Sequence, residues 1–92
     1  MDLNIYLYKE ELKMEIKVVG PGCKKCQVLY HQVLRAEEDL KRNDKVTKVE
    51  KYEDMMAYNI LSTPALVINE KVMCSGRIAS TDEIKKWILE RE

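Results

Sequence analysis

The sequence predicts a single α/β domain in which a four-stranded mixed sheet carries helices on both faces. Three observations favour this fold class. From Met14 onward the apolar pattern gives the order strand, helix, strand, helix, strand, strand, helix. A Cys-x-x-Cys pair, Cys23 and Cys26, lies between the first strand and the first helix. Thr63-Pro64 directly precedes the most apolar run of the chain.

Composition sets the outer limits. A chain of 92 residues is the size of one domain, and 16 basic residues balance 16 acidic ones, so no overall charge favours nucleic acid or an anionic membrane. Three cysteines, an odd number, do not form a secreted disulfide framework. No signal-peptide or membrane-span pattern is visible. We therefore expect a cytoplasmic monomer that binds neither nucleic acid nor membrane.

Residues 1–13 are predicted to be an N-terminal extension of the domain formed by residues 14–92. Alternation of apolar residues in this segment suits an edge strand, and another subset suits one face of a short helix. Disorder is a third alternative. Met14 could also serve as an initiator, which would make the first thirteen residues an alternative start.

The first strand, Met14–Val19, leads into a turn rich in Gly and Pro at positions 20–22. Cys23 then falls at the start of a helix, where free backbone N–H groups and the positive end of the helix dipole stabilise a thiolate. Cys26 comes three residues later, so the helix returns its sulfur to the same face. This arrangement predicts a site that makes and breaks a disulfide.

The first helix is predicted to continue to about Lys41 and to end at a turn formed by Asn43-Asp44. The second strand spans residues 46–52 and is charged enough to lie at a sheet edge. The helix is long enough for a right-handed crossover between parallel strands. Apolar residues recur at helical spacing along it: Leu29, Val33, Ala36 and Leu40.

In the second half of the chain, Asp54 is the expected N-cap of a short helix over residues 55–58. Ala65–Ile68 is apolar throughout and predicts a strand buried on both faces. Asn69-Glu70 predicts a tight turn into an antiparallel strand, Lys71–Ser75.

The last helix is expected to begin at a capping box, in which Ser80 and Glu83 each bond the other's backbone N–H. Its apolar stripe consists of Ile84, Trp87 and Ile88.

The element order, with Cys23-x-x-Cys26 after the first strand and Thr63-Pro64 before the third, resembles the thioredoxin fold. More narrowly, it is similar to the small, glutaredoxin-sized thioredoxin-like proteins called redox-active disulfide proteins. The resemblance covers residues 14–92. It implies a reductase of protein disulfides that needs no cofactor, in which Cys23 attacks the substrate disulfide and Cys26 resolves the mixed disulfide. An external reductase, thioredoxin-reductase-like or glutathione, then restores the dithiol.

The resemblance also implies a cis bond before Pro64, which presents the backbone of Thr63 to the substrate and leaves no N–H at Pro64. Gly22 stands where thioredoxins have a Trp and is expected to contact substrate. The buried acid of the thioredoxin first strand has no counterpart here. Proton transfer to Cys26 would then use water, a lysine or the substrate.

Lys24 and Lys25 separate the two cysteines. As cations beside Cys23 they would stabilise its thiolate and lower its pKa. The alternative is that they are solvated surface residues, which oppose the helix dipole at a small cost.

The runner-up function is a zinc- or copper-binding module without redox turnover. A tetrahedral zinc site needs further ligands, and the candidates are Cys74 and His31. His31 lies five residues beyond Cys26 and faces another side of the helix. We therefore expect no metal site. Cys74 is expected to pack in the core, with a second redox role as the alternative.

Overall fold

The computed structural model describes residues 14–91, and the predicted N-terminal extension at residues 1–13 lies outside these described residues. The elements follow the predicted order. They are β1 (Glu15–Val19), α1 (Lys24–Asp39), β2 (Lys45–Val49), α2 (Tyr52–Ala57), β3 (Ala65–Ile68), β4 (Lys71–Ser75) and α3 (Thr81–Arg91).

The four strands form one mixed sheet in the order β2-β1-β3-β4. β1 runs parallel to β2 and antiparallel to β3, and β3 runs antiparallel to β4. The predicted edge position of β2 and the predicted antiparallel partner of β3 are both confirmed. Asn69 and Glu70, between β3 and β4, have φ of 50° and 69°, as a tight hairpin turn requires.

Alternation along β1 and β3 divides the core between the two faces of the sheet. Leu66 and Ile68 point to the face covered by α1 and α3, whereas Ala65 and Val67 point to the face covered by α2. All four are fully buried, which confirms the prediction for β3. Sequence spacing and packing therefore agree on where the core lies.

Two predicted boundaries around α2 differ from the structure. Asp54 is not the N-cap of α2; that position is Lys51, and Asp54 lies in the first turn. The second strand ends at Val49, so Tyr52 belongs to α2. Sequence propensity identified these elements but not the residue at which the second strand ends. That residue depends on the last backbone hydrogen bond between the two strands, which Gly20 N–H donates to Val49 O.

α1 ends at Asp39 rather than near Lys41. Lys41 adopts φ of 55°, its N–H bonds the carbonyl of Glu38, and the N–H of Arg42 bonds the carbonyl of Glu37. This is the Schellman end of a helix, with a lysine at the position that glycine usually occupies. The Asn43-Asp44 turn therefore follows the helix end and does not cause it.

A cluster of charged side chains closes this end of α1. Glu37 is 6% exposed, and its Oε1 accepts the N–H of Asp44 at 2.8 Å. Arg42 binds the Asp44 carboxylate through two nitrogens, at 2.7 and 3.2 Å. The N–H of Met14 also donates to Asp44, so the cluster joins the start of β1 to the start of β2. The apolar periodicity of the sequence did not predict this charged cluster.

Candidate functional site

Cys23 is the N-cap residue of α1, in extended conformation with φ of −71° and ψ of 173°. The Gly-Pro-Gly turn brings the chain to this point, and the helix begins at the next residue. The thiol is exposed and caps no N–H through its side chain. Free N–H groups of the first helical turn therefore face the position that a thiolate at Cys23 occupies.

Cys26 lies one turn inside α1 and is 5% exposed. Its Sγ is 3.1 Å from the Sγ of Cys23, in hydrogen-bond contact between two free thiols. The helix has brought both sulfurs to one face, as the three-residue spacing predicted. One thiol is therefore open to a substrate, and the other is held directly behind it.

The surroundings of the two thiols shift their pKa values in opposite directions. The hydrogen bond from the Cys26 thiol lowers the pKa of Cys23, and the backbone N–H groups of Cys26 and Lys25 lower it further. Burial raises the pKa of Cys26, and its bond to Cys23 adds to that rise. Hydrogen bonds at the helix end thus stabilise a thiolate at Cys23, whereas burial stabilises the thiol at Cys26.

The loop before β3 lies against Cys26. The Thr63-Pro64 bond is cis, as expected, and Pro64 is buried. A Cβ on Gly20 would collide with Cys26 Sγ and would lie 3.5 Å from the Cβ of Thr63. Gly20 therefore leaves the space in which Cys26 and Thr63 come together. The sequence gave no such role to Gly20, because the need arises only when three distant segments meet.

Gly22 occupies the turn before Cys23 with φ of 87°, a conformation that favours glycine. Its carbonyl accepts a bond from the side-chain amide of Gln27 at 3.3 Å. Lys24 and Lys25 are exposed and follow Cys23 directly in the first turn of α1. All the site residues predicted from the motif therefore surround one helix end.

A small cavity of about 50 Å³ opens beside Cys26. Two charged residues at the end of β2, Lys48 and Glu50, lie in its wall together with Gly22. Sequence reasoning missed both of them. The available signal was the parallel pairing of β1 with β2, since the carboxyl ends of parallel strands meet at one edge of a sheet.

Cys74 lies on β4, away from the pair in sequence, and packs against the core on the α1 side of the sheet. Burial raises its pKa. His31 is exposed on α1. Among residues 14–91, no three His, Cys, Asp or Glu side chains are grouped so that they could hold a metal ion. Within the same part of the chain, no helix has the length and apolar character needed to cross a membrane.

Comparisons with known proteins agree with this geometry. A family model described as a thioredoxin domain matches residues 14–89. The chain is 29% identical over 73 residues to a thioredoxin of Methanothermobacter thermautotrophicus, covering 79% of this chain and 95% of that protein. It is 30% identical over 71 residues to a thioredoxin of Methanocaldococcus jannaschii, covering 77% of this chain and 81% of that one.

Among solved structures, the reduced thioredoxin pre-protein of Schistosoma mansoni superposes with a TM-score of 0.62 at 20% identity. The match covers 97% of this chain and 89% of that one and supports the fold. Together with the Cys23-x-x-Cys26 pair, the sequence matches support a thiol–disulfide oxidoreductase. The chain belongs to the thioredoxin family.

Proposed function

We propose that this protein reduces disulfide bonds of protein substrates, with Cys23 as nucleophile and Cys26 as resolving thiol. The observation that carries the proposal is the asymmetry of the pair. Cys23 is exposed with a lowered pKa, whereas Cys26 is buried 3.1 Å behind it with a raised pKa. A thiolate that a substrate can reach, backed by a thiol that it cannot reach, is what a two-step exchange requires.

In the first step the Cys23 thiolate attacks one sulfur of the substrate disulfide and releases the other as a thiol. In the second step Cys26 attacks Cys23 and releases the reduced substrate. The protein now holds a Cys23–Cys26 disulfide. A reductase of the thioredoxin-reductase type, or glutathione as in glutaredoxin-like proteins, restores the dithiol in the cytoplasm.

The surroundings of Cys23 form the substrate-binding surface in this proposal. Thr63 pairs through its backbone with an extended substrate segment, and Pro64, which has no N–H, shapes the same loop. Gly22 allows close approach, because the residue directly before Cys23 has no side chain. The charges of Lys24 and Lys25 add to the hydrogen bonds that stabilise the thiolate.

Trapping of substrates tests the assignment of the two roles. Cys26→Ser should attack but not release, so it should accumulate mixed disulfides with cellular proteins that added reductant dissolves. Cys23→Ser should accumulate few, because the remaining thiol is buried. Cys74→Ser is the control and should behave like the wild type.

Gel separation with and without reductant measures the adducts, and mass spectrometry identifies the trapped partners. Equal trapping by the Cys26→Ser and Cys23→Ser variants would contradict the assignment. Absence of trapping, together with metal bound by the wild type alone, would support the metal-binding module instead.

A further inference from the structure

The second step of the exchange requires a proton acceptor beside Cys26. A thiolate, not a thiol, attacks a disulfide, and burial favours the protonated form of Cys26. Once Cys23 is bonded to a substrate, its sulfur no longer has a charge that could take this proton. Glu15, the acid of β1, lies at the opposite end of that strand and is exposed. The acceptor must therefore come from another element.

The cavity beside Cys26 connects this thiol to the end of β2. Its volume of about 50 Å³ has room for one or two water molecules. Glu50 lines it and lies against the turn before Cys23, since Glu50 Oε2 is 3.2 Å from where a Cβ on Gly22 would lie. A carboxylate and the buried thiol thus share one small polar space, and the exposed Glu50 links that space to solvent.

The residues packed around Cys26 determine which groups could accept its proton. β1 contributes Val18, the turn after it contributes Gly20, and the loop before β3 contributes Thr63, none of which titrates. α1 contributes Gln27 to the cavity wall, and an amide does not titrate. Lys24 and Lys25 in its first turn are exposed and lie outside that wall, and Cys23 at its N-cap is bonded to substrate at this stage. Among the described residues, the end of β2 adds Lys48 and Glu50 to the cavity wall.

Of these two, only the carboxylate can accept a proton. Lys48 Nζ lies 4.5 Å from the centroid of the Tyr30 ring, which holds an ammonium group at the cavity wall. An ammonium donates hydrogen bonds and has no acceptor site, so its part is to stabilise a thiolate by charge. A carboxylate has two acceptor oxygens, and that of Glu50 lies at the cavity wall.

We propose that Glu50 accepts the proton of Cys26, through water in this cavity, when Cys26 resolves the mixed disulfide. This role rests on the proposed function. The proton moves from Cys26 Sγ through water to the Glu50 carboxylate, and the resulting thiolate attacks Cys23 Sγ. The Cys23–Cys26 bond forms as the bond from Cys23 to the substrate sulfur breaks. The released thiolate takes up a proton through solvent, and the two electrons given up by the dithiol have reduced the substrate disulfide.

The two steps can be timed separately with 5,5′-dithiobis(2-nitrobenzoate), which releases a coloured thiolate in each. In a Cys74→Ser background, the first release reports attack by Cys23, and the second reports resolution by Cys26. Stopped-flow absorbance between about pH 5.5 and 9 should show Glu50→Gln slowing the second release about tenfold or more near pH 6.5, with the first release unchanged. Added formate should restore part of the loss, and the deficit should shrink as hydroxide rises.

Glu53→Gln is the matched control, because Glu53 is also exposed but lies on α2 outside the cavity wall. It should leave both releases unchanged. A purely electrostatic Glu50 would give the opposite sign, since removing a negative charge beside Cys26 favours its thiolate and speeds the second release. A second release in Glu50→Gln that equals or exceeds that of the wild type would overturn the role. A wild type that shows only the first release overturns the proposed function itself.

Discussion

At the residue scale, two identical side chains three positions apart have opposite properties because of where the helix begins. Cys23 is the exposed N-cap residue of α1, and its sulfur is in hydrogen-bond contact with the Cys26 thiol, whereas Cys26 lies behind it and is almost removed from water. Hydrogen bonds to a thiolate lower its pKa, and burial raises it. The difference between the two thiols therefore follows from hydrogen bonding at the helix end and from burial one turn behind it, not from the cysteines themselves.

We expect Cys23 to react with iodoacetamide at lower pH than Cys26. The hydrogen bond from the Cys26 thiol and the N–H groups of the first turn lower the pKa of Cys23, and burial raises that of Cys26. Alkylation rate against pH on Cys26→Ala and Cys23→Ala, each with Cys74→Ser, measures the two midpoints. Faster reaction of Cys26 near neutrality would reverse the assigned roles.

The same titration tests the proposed contribution of the lysines. Replacing Lys24 and Lys25 with Gln should raise the pKa of Cys23, because two neighbouring cations are removed. Replacing Lys86, an exposed lysine of α3, with Gln is the charge-matched control. An unchanged Cys23 midpoint in the double variant would leave the lysines as solvated surface residues.

Glu37 should make the free energy of unfolding fall as pH rises. Burial, and then its contact with Asp44, raise the pKa of Glu37 from 4.5 to about 7, and its buried Oε2 has no hydrogen-bond partner among residues 14–91. The fold therefore favours the protonated carboxyl. That contribution is fully present below about pH 4.5 and is lost as pH rises through about 7.

Glu37→Gln should remove this dependence, because the amide keeps an acceptor for the N–H of Asp44 and cannot ionise. Urea unfolding at several pH values should show the variant gaining on the order of 1 to 3 kcal/mol relative to wild type between pH 5 and 8. Glu38→Gln is the same change at an exposed neighbour. Its free energy of unfolding relative to wild type should not change with pH. A parallel response of Glu37→Gln and wild type would contradict the burial argument.

At the element scale, local hydrogen bonds fix where each helix begins or ends. The residue types at these positions suit the bonds better in one helix than in another. The capping box of α3 is confirmed: Ser80 N–H bonds Glu83 Oε1 at 3.0 Å, and Glu83 N–H bonds Ser80 Oγ at 3.1 Å. The end of α1 has the right backbone bonds but an unusual residue. Lys41 adopts a left-handed conformation in which its Cβ is crowded.

Lys41→Gly should therefore stabilise the protein by about 0.5 to 1 kcal/mol, because glycine adopts this conformation without steric cost. Denaturant unfolding measures the change. Lys86→Gly, at an exposed position inside α3, is the matched control and should destabilise by about 1 kcal/mol. A loss of stability in Lys41→Gly would show that the lysine side chain contributes more than the backbone strain costs.

At the scale of the whole molecule, the sheet order brings three separate segments to one edge. The turn after β1, the end of β2 and the loop before β3 surround the start of α1. The parallel pairing of the edge strand β2 with β1 makes this possible, because β1 and β2 end on the same side. The site is a consequence of topology as much as of the motif.

The division of the chain at residue 13 stays a prediction. A chain that starts at Met14 should unfold cooperatively and keep both thiol-release steps, because the family match begins at residue 14 and the described residues supply a core cluster on each face of the sheet. Urea unfolding with circular dichroism, together with the two-step assay, compares the short chain with the full one. Loss of cooperative unfolding would show that residues 1–13 belong to the domain.

The sequence by itself determined the element order, the buried strand Ala65–Ile68 and the place of Cys23 at a helix start, because these depend on periodicity and on turn residues close along the chain. Tertiary structure decided what depends on distant partners. In the folded chain, Cys26 occupies the space that a side chain at Gly20 would need. Glu50 and Lys48 lie beside the buried thiol, and Glu37 is buried against Asp44. The periodicity of apolar residues predicts which residues close together in the chain lie on the same face of a helix or strand. Only packing shows which residues from other strands share that space.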